Sequence, residues 1–358
     1  MKWFKYLGSI IGTGRNPFNH QLVKICTKAR QLSAAVLAKA RKSFNQTMVG
    51  TSLWNNMACP AILFGCETTQ FDEATIRKLE VAQNSIGRGI LGAKSYCSTV
   101  AIRNELGWKS MRMRIYERKL RFWGKVYFQN VNRWAKQSYL SSVYEGWTSK
   151  WFNEIRKIRQ ELCLESMVNV RSADEWNTMV KNAVSKYERD VFEGAKREMS
   201  TLMWYNTPFN HSRKVIPYVN GSAGANCLFR LKTGSWVQKY EGNNRKVCQL
   251  CGELDGEIHR ILYCDQTLAK RIEIGLVDKT EVIRERSASD VETLGNLTMG
   301  SRDECLEVGR IIHLLDTHIK TIGITMNGWV ENNAMNLSSV HGCNCQLNTS
   351  NKSCIHAL

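Results

Sequence analysis

Three features of the sequence predict a mainly α-helical fold. Proline interrupts helices by removing an amide donor and clashing with the preceding turn; it occurs only four times in 358 residues and never after Pro217. Apolar residues recur at helical spacing through several long stretches, and a 43% hydrophobic content can fill the cores of two or three domains. Towards the carboxyl end, four soft ligands are packed closely together as Cys248-x2-Cys251-x7-His259-x4-Cys264, which predicts a small metal-stapled module.

Residues 2–13 read as an extended segment closing on a glycine turn, like the last strand of a larger sheet. Gly12-Thr13-Gly14 lacks the lysine motif of a phosphate loop and reads as that turn. From His20 to Phe44 the positions Leu22, Ile25, Cys26, Ala29, Leu32 and Val36 follow a helical period. A compact segment, Leu53–Cys66, comes next. The helix expected over Asp72–Leu91 opens on acidic residues, as the helix dipole prefers.

Lys109–Phe128 is the clearest helix. Arg114, Arg118, Arg121 and Lys125 fall within about 60° of one another around its axis. Ile115, Tyr116, Leu120, Phe122, Trp123, Val126 and Tyr127 take the other side. Two or three further helices are expected over residues 130–200. Their tryptophans 134, 147, 151 and 176 read as core rather than as stacking platforms for unpaired bases. Polar, glycine-containing residues 206–225 read as a boundary. Beyond Cys264, helices are expected over Gln266–Glu285 and Arg302–Ile322. The Asn- and Ser-rich last twenty residues read as disordered, and Cys343, Cys345, Cys354 and His356 lack the spacing for a second zinc site.

Charge is unevenly spread. Residues 1–217 carry 35 Lys and Arg against 16 Asp and Glu, whereas residues 218–358 carry 15 against 16. A basic half rich in aromatics suits a polyanion, most often nucleic acid, and the one-sided basic helix suits a phosphate backbone; a solvated basic surface is the alternative. In the carboxyl-terminal half, three thiolates and an imidazole suit tetrahedral Zn2+, with the Cys-x2-Cys turn giving two ligands and a short helix over residues 257–264 giving His259 and Cys264. Such a site has no open position and would hold a fold without catalysing. Otherwise the four side chains never meet.

Thirteen cysteines with no secretory signal before them indicate a reducing, intracellular compartment. No apolar run approaches the ~20 residues of a membrane span.

Several stretches, in order, carry a resemblance. They are Tyr6-Leu7-Gly8, Pro60 through Glu67, Gln83 through Gly92, and Asn104-Glu105-Leu106-Gly107-Trp108. Lys119-Leu120-Arg121-Phe122-Trp123-Gly124, Phe229-Arg230-Leu231-Lys232-Thr233-Gly234 and the Cys-Cys-His-Cys motif follow. Over roughly residues 2–270 this succession resembles the carboxyl-terminal part of a non-LTR (LINE-type) retrotransposon reverse transcriptase. The resemblance implies a residual palm-edge strand over 1–15, a helical thumb-like bundle over 16–130 and a helical connection over 131–220. A CCHC zinc-knuckle module over 221–275 completes it, and the helical pattern and Asn- and Ser-rich composition beyond it give a helical segment over 276–335 and a disordered tail over 336–358.

The departures limit what the resemblance implies. Polymerisation by that family needs paired aspartates that hold two metal ions, and none of the nine aspartates here is adjacent to another. The proline-aspartate motif of the family's carboxyl-terminal endonuclease is also missing, since no proline follows Pro217. The expectation is a truncated element, not an enzyme on its own. It would bind an RNA template or RNA–DNA hybrid through Arg114, Arg118, Arg121 and Lys125, with Arg245, Lys246 and Arg260 available to phosphate beside the knuckle. A separate palm-bearing reverse transcriptase chain is a further partner, and nuclear residence is implied by the family alone. The alternatives are a protein-interaction or scaffold fragment, or a transposon relic without function.

Overall fold

Capped amphipathic segments give a mainly helical protein. The computed structural model describes residues 3–6, 8–13, 17–144, 150–166, 170–237, 247–248 and 250–340. Strands β1 (Trp3–Tyr6) and β2 (Ser9–Gly12) pair antiparallel, Trp3 opposite Gly12 and Tyr6 opposite Ser9. The expected single strand is therefore a hairpin. It turns at Gly8 (φ +88°), where a left-handed backbone favours glycine, and is tied to the first helix by Ile10 N donating to Gln21 Oε1 (3.0 Å) and Lys24 Nζ donating to Gly8 O (2.7 Å).

Helices α1 (Asn19–Arg41) and α2 (Gln46–Leu53) follow. Pro60 has no amide to offer the turn before it, and that turn widens: Cys59 N bonds Trp54 O, five residues back, before the short α3 (Cys59–Ile62). Helix α4 (Glu73–Leu91) packs along α1; its N-cap Asp72 accepts from Thr75 N (2.6 Å) and it ends on left-handed Gly92. Then come α5 (Thr99–Leu106), α6 (Met111–Tyr127), α7 (Trp134–Tyr144), α8 (Lys150–Glu161), α9 (Ala173–Glu198) and α10 (Ala223–Lys232). The carboxyl-terminal helices are α11 (Leu268–Glu273), α12 (Leu276–Arg284), α13 (Asp290–Leu297) and α14 (Arg302–Val340). Helix α14 continues past Ile322, where the sequence pattern ended, and into the start of the expected disordered tail; residues 341–358 lie outside the described residues.

One continuous core runs from Ile25 to Ile319. Trp54 is fully buried, its ring centroid 5.8 Å from that of Trp108 and its indole N–H on Gln83 Oε1 (3.3 Å). Trp176 is fully buried against Gly124, and its indole donates to Leu120 O (2.7 Å). Trp151 is half-buried and donates to Glu67 O (2.9 Å), but Trp134 is 87% exposed, against the expectation of core; Trp147 lies outside the described residues.

Residues 206–222 do not behave as a polar boundary. Asn104 Nδ2 donates to Pro208 O (3.0 Å), Asn210 N donates to Asn104 Oδ1 (2.7 Å), and Ile216 N donates to Glu105 O (2.9 Å). A Cβ on Gly107 would lie 2.5 Å from the backbone of Arg213, so this left-handed glycine permits the close approach. Asn210 and Thr207 owe their place here to backbone and side-chain partners, while His211, Ser212 and Lys214 face solvent.

Candidate metal centre and basic groove

Two turns assemble the knuckle. In the first, Cys248 N donates to Glu253 O (2.7 Å) and Gly252 N to Cys248 O (2.9 Å), while Val247 and Leu254 pair across the base. Gly252 sits at φ +85°, a conformation that other residues adopt only with strain. The second turn, expected as a short helix, winds wider over His259–Tyr263: Cys264 N donates to His259 O, five residues back, at 2.8 Å. Residues five apart on an α-helix diverge by roughly 140°. The wider turn swings His259 and Cys264 towards one side, a π-bulge of the kind found at functional sites.

Buried Arg271 holds this turn from behind, donating to Ile261 O (2.9 Å), Leu262 O (2.7 Å) and Cys264 O (3.0 Å). Arg260 makes a two-pronged ion pair with Asp255, both bonds 2.8 Å. It is thus committed internally rather than offered to phosphate.

The ligand atoms Cys248 Sγ, Cys251 Sγ, His259 Nε2 and Cys264 Sγ converge. Cys251 Sγ is 3.1 Å from His259 Nε2 and 3.9 Å from Cys264 Sγ, Cys248 Sγ is 4.0 Å from Cys264 Sγ, and all four lie within 4.8 Å of one another. Tetrahedral bonds of ~2.3 Å to sulfur and ~2.0 Å to nitrogen separate sulfurs by ~3.8 Å and sulfur from nitrogen by ~3.5 Å. A disulfide would need ~2.05 Å. The cluster can therefore hold a metal ion. Burial, then the neighbouring Cys248 and Cys251, pushes the Cys264 thiol up to about 11. A cation beside that sulfur would favour its thiolate instead.

The basic residues divide. Arg114, Arg118 and Arg121 line an open groove of about 330 Å³ walled by Asn55, Pro60 and Leu63, and Lys109 and Arg213 join them. Lys125 is exposed but does not line this groove. Arg114 Nη2 donates to Asn55 Oδ1 (3.1 Å), Arg118 pairs with Glu67 (3.5 Å), Arg121 pairs with Glu117 (2.8 Å), and Lys109 also pairs with Glu117. Arg213 donates to Ser185 Oγ (2.6 Å). Burial raises the Glu117 carboxyl, but Lys109 and then Arg121 outweigh it and hold it below its ordinary range. Five cations thus face two carboxylates. Arg245 and Lys246 lie outside the described residues.

Sequence periodicity missed Lys109, just before the helix, and Arg213, which a loop at φ +57° delivers from far along the chain. No periodic pattern marks either one. Among the described residues no helix is long and apolar enough to cross a membrane. Comparison with protein-family models, curated proteins and solved structures finds no match to the chain.

Proposed function

We propose that the chain binds RNA or an RNA–DNA hybrid along the groove beside α6, as the thumb and connection of a LINE-type reverse transcriptase, with structural Zn2+ in the knuckle. One observation carries the reading: cations from α6, from the turn before it and from the 206–222 loop converge on a single open groove. Phosphates would be neutralised there by charge and shape, without base-edge readout. Three thiolates and an imidazole with four protein ligands favour zinc in a closed, structural site. The chain has no adjacent aspartates, so it is assigned binding and no polymerisation of its own. Nuclear residence follows from the resemblance alone.

The test is anisotropy with a labelled structured RNA. Arg118→Ala with Arg121→Ala is expected to weaken binding roughly tenfold, about 1.4 kcal/mol. Unchanged affinity in the folded double variant would remove the groove from the interface.

A second reading, a protein-interaction fragment, is favoured by the α1–α4 surface, where a mainly apolar groove of about 710 Å³ is lined by Ala34, Leu37, Val81 and Ile86. The family resemblance would make the occupant a palm-bearing reverse transcriptase chain. Salt-insensitive association there, without RNA binding, would replace the first reading.

A further inference from the structure

Helices α10 and α14 touch backbone to backbone. A Cβ on Gly224 would lie 2.9 Å from Gly309 C, and one on Gly309 would lie 2.7 Å from Gly224 O, so only paired glycines allow this approach. About one turn further along each helix, the crossing brings Cys227 against His313, Sγ to Nδ1 3.7 Å. Asp316 follows His313 by three residues and so shares its face of α14. The sulfur, an imidazole nitrogen and a carboxylate oxygen lie within 4.8 Å of one another, with Cys227 and Asp316 buried and His313 half-buried.

We propose that Cys227, His313 and Asp316 form a second zinc site that pins α10 to α14, separate from the knuckle. One thiolate, one imidazole and one carboxylate are the ligand types zinc accepts, and a zinc ion holds sulfur and nitrogen ~3.5 Å apart, close to the spacing here. Asp316 also accepts from Lys320 Nζ at 2.5 Å through Oδ2, which leaves its second oxygen for the metal. Three protein ligands leave the fourth position to water, unlike the closed knuckle. The site needs neither the RNA-binding reading nor the knuckle.

The experiment is metal content and Co2+ substitution on the full chain. Wild type is expected to hold two zinc ions, and Cys227→Ser and His313→Gln one each. In Cys251→Ser, the remaining Co2+ should show the weaker ultraviolet charge transfer of a single thiolate rather than of three. Asp316→Asn, a nearly isosteric change, should lower affinity at the second site while circular dichroism stays unchanged. One zinc in wild type, unaltered by Cys227→Ser or Asp316→Asn, would overturn the proposal. So would Co2+ absorption in Cys251→Ser that persists in Cys251→Ser with Cys227→Ser.

Discussion

Lys232 and Glu105, both buried, are joined through one hydroxyl: Lys232 Nζ donates to Thr207 Oγ1 (3.1 Å), and Thr207 Oγ1 donates to Glu105 Oε1 (3.4 Å). Tyr205 O–H adds a second donor to the same carboxylate (2.9 Å). Two of the stretches that carried the resemblance thus meet in the core, where α5 and α10 are locked together around a charge pair. Removing one partner of a buried pair costs about 3–5 kcal/mol, because the other charge is left alone. Lys232→Met is expected to lose stability on that scale, and adding Glu105→Gln should recover much of it. A double-mutant cycle in urea checks this; simple additivity would contradict it.

The same pair sets a pH dependence. Burial raises the Glu105 carboxyl above its ordinary range, and Lys232 acts in the opposite direction. An acid that holds its proton more tightly when folded favours the folded state fully below its unfolded pKa. That contribution is lost as pH rises through the folded pKa. In Lys232→Met the opposing cation is gone, so stability should fall more steeply than in wild type as pH rises from about 4, near the ordinary carboxylate value. Denaturant midpoints across pH would show it, and parallel profiles would not fit.

Two helix glycines should respond oppositely to alanine. At Gly124 an added Cβ would lie 2.0 Å from Trp176 Cδ1, so Gly124→Ala should displace the indole and cost roughly 1–3 kcal/mol, as overpacking does. At Gly194, within α9, nothing lies within 4 Å of the added carbon, and Gly194→Ala should stabilise by about 0.5–1 kcal/mol through helix propensity. Thermal melts of the two variants shifting in the same direction would contradict this packing.

Metal removal should act locally. Chelation, or Cys251→Ser, is expected to speed amide exchange in residues 250–271 while α4 and α6 stay protected. Ligands bind zinc deprotonated, so affinity should fall as pH falls. Exchange in the knuckle unchanged by chelation would show that the turns stand without an ion.

Much of this was legible in the sequence because helices announce themselves locally. The α6 pattern gave Ile115, Tyr116, Leu120, Trp123 and Val126 of its buried face, and the Cys-x2-Cys spacing marked the knuckle; Tyr127, expected inside, is exposed, and Lys119, which no apolar pattern marks, is fully buried. Long-range pairing is what stayed hidden. Arg213 reaches the groove from a loop whose polar residues resemble a linker, although their hydrogen bonds run to Asn104 and Glu105. Lys125 shares a helical face with Arg121, yet the wall formed by Asn55, Pro60 and Leu63 borders only the upstream part of that face. Cys227 met His313 only through two glycines far apart in sequence.

Lys125 and Arg121 therefore separate helical periodicity from groove geometry. Arg121→Ala should reduce the salt slope of RNA binding by about 0.7–0.9, one phosphate contact, and Lys125→Ala should leave it unchanged. Equal effects would place the interface along the whole helix face.

The most direct measurement is the affinity of the wild-type chain for a structured RNA from low to high salt. Five cations in one groove, set against two carboxylates, predict a steep log–log fall with a slope of about −2 to −4, at roughly 0.7–0.9 per phosphate. Weak binding with a flat slope would contradict the account and leave the groove a solvated surface.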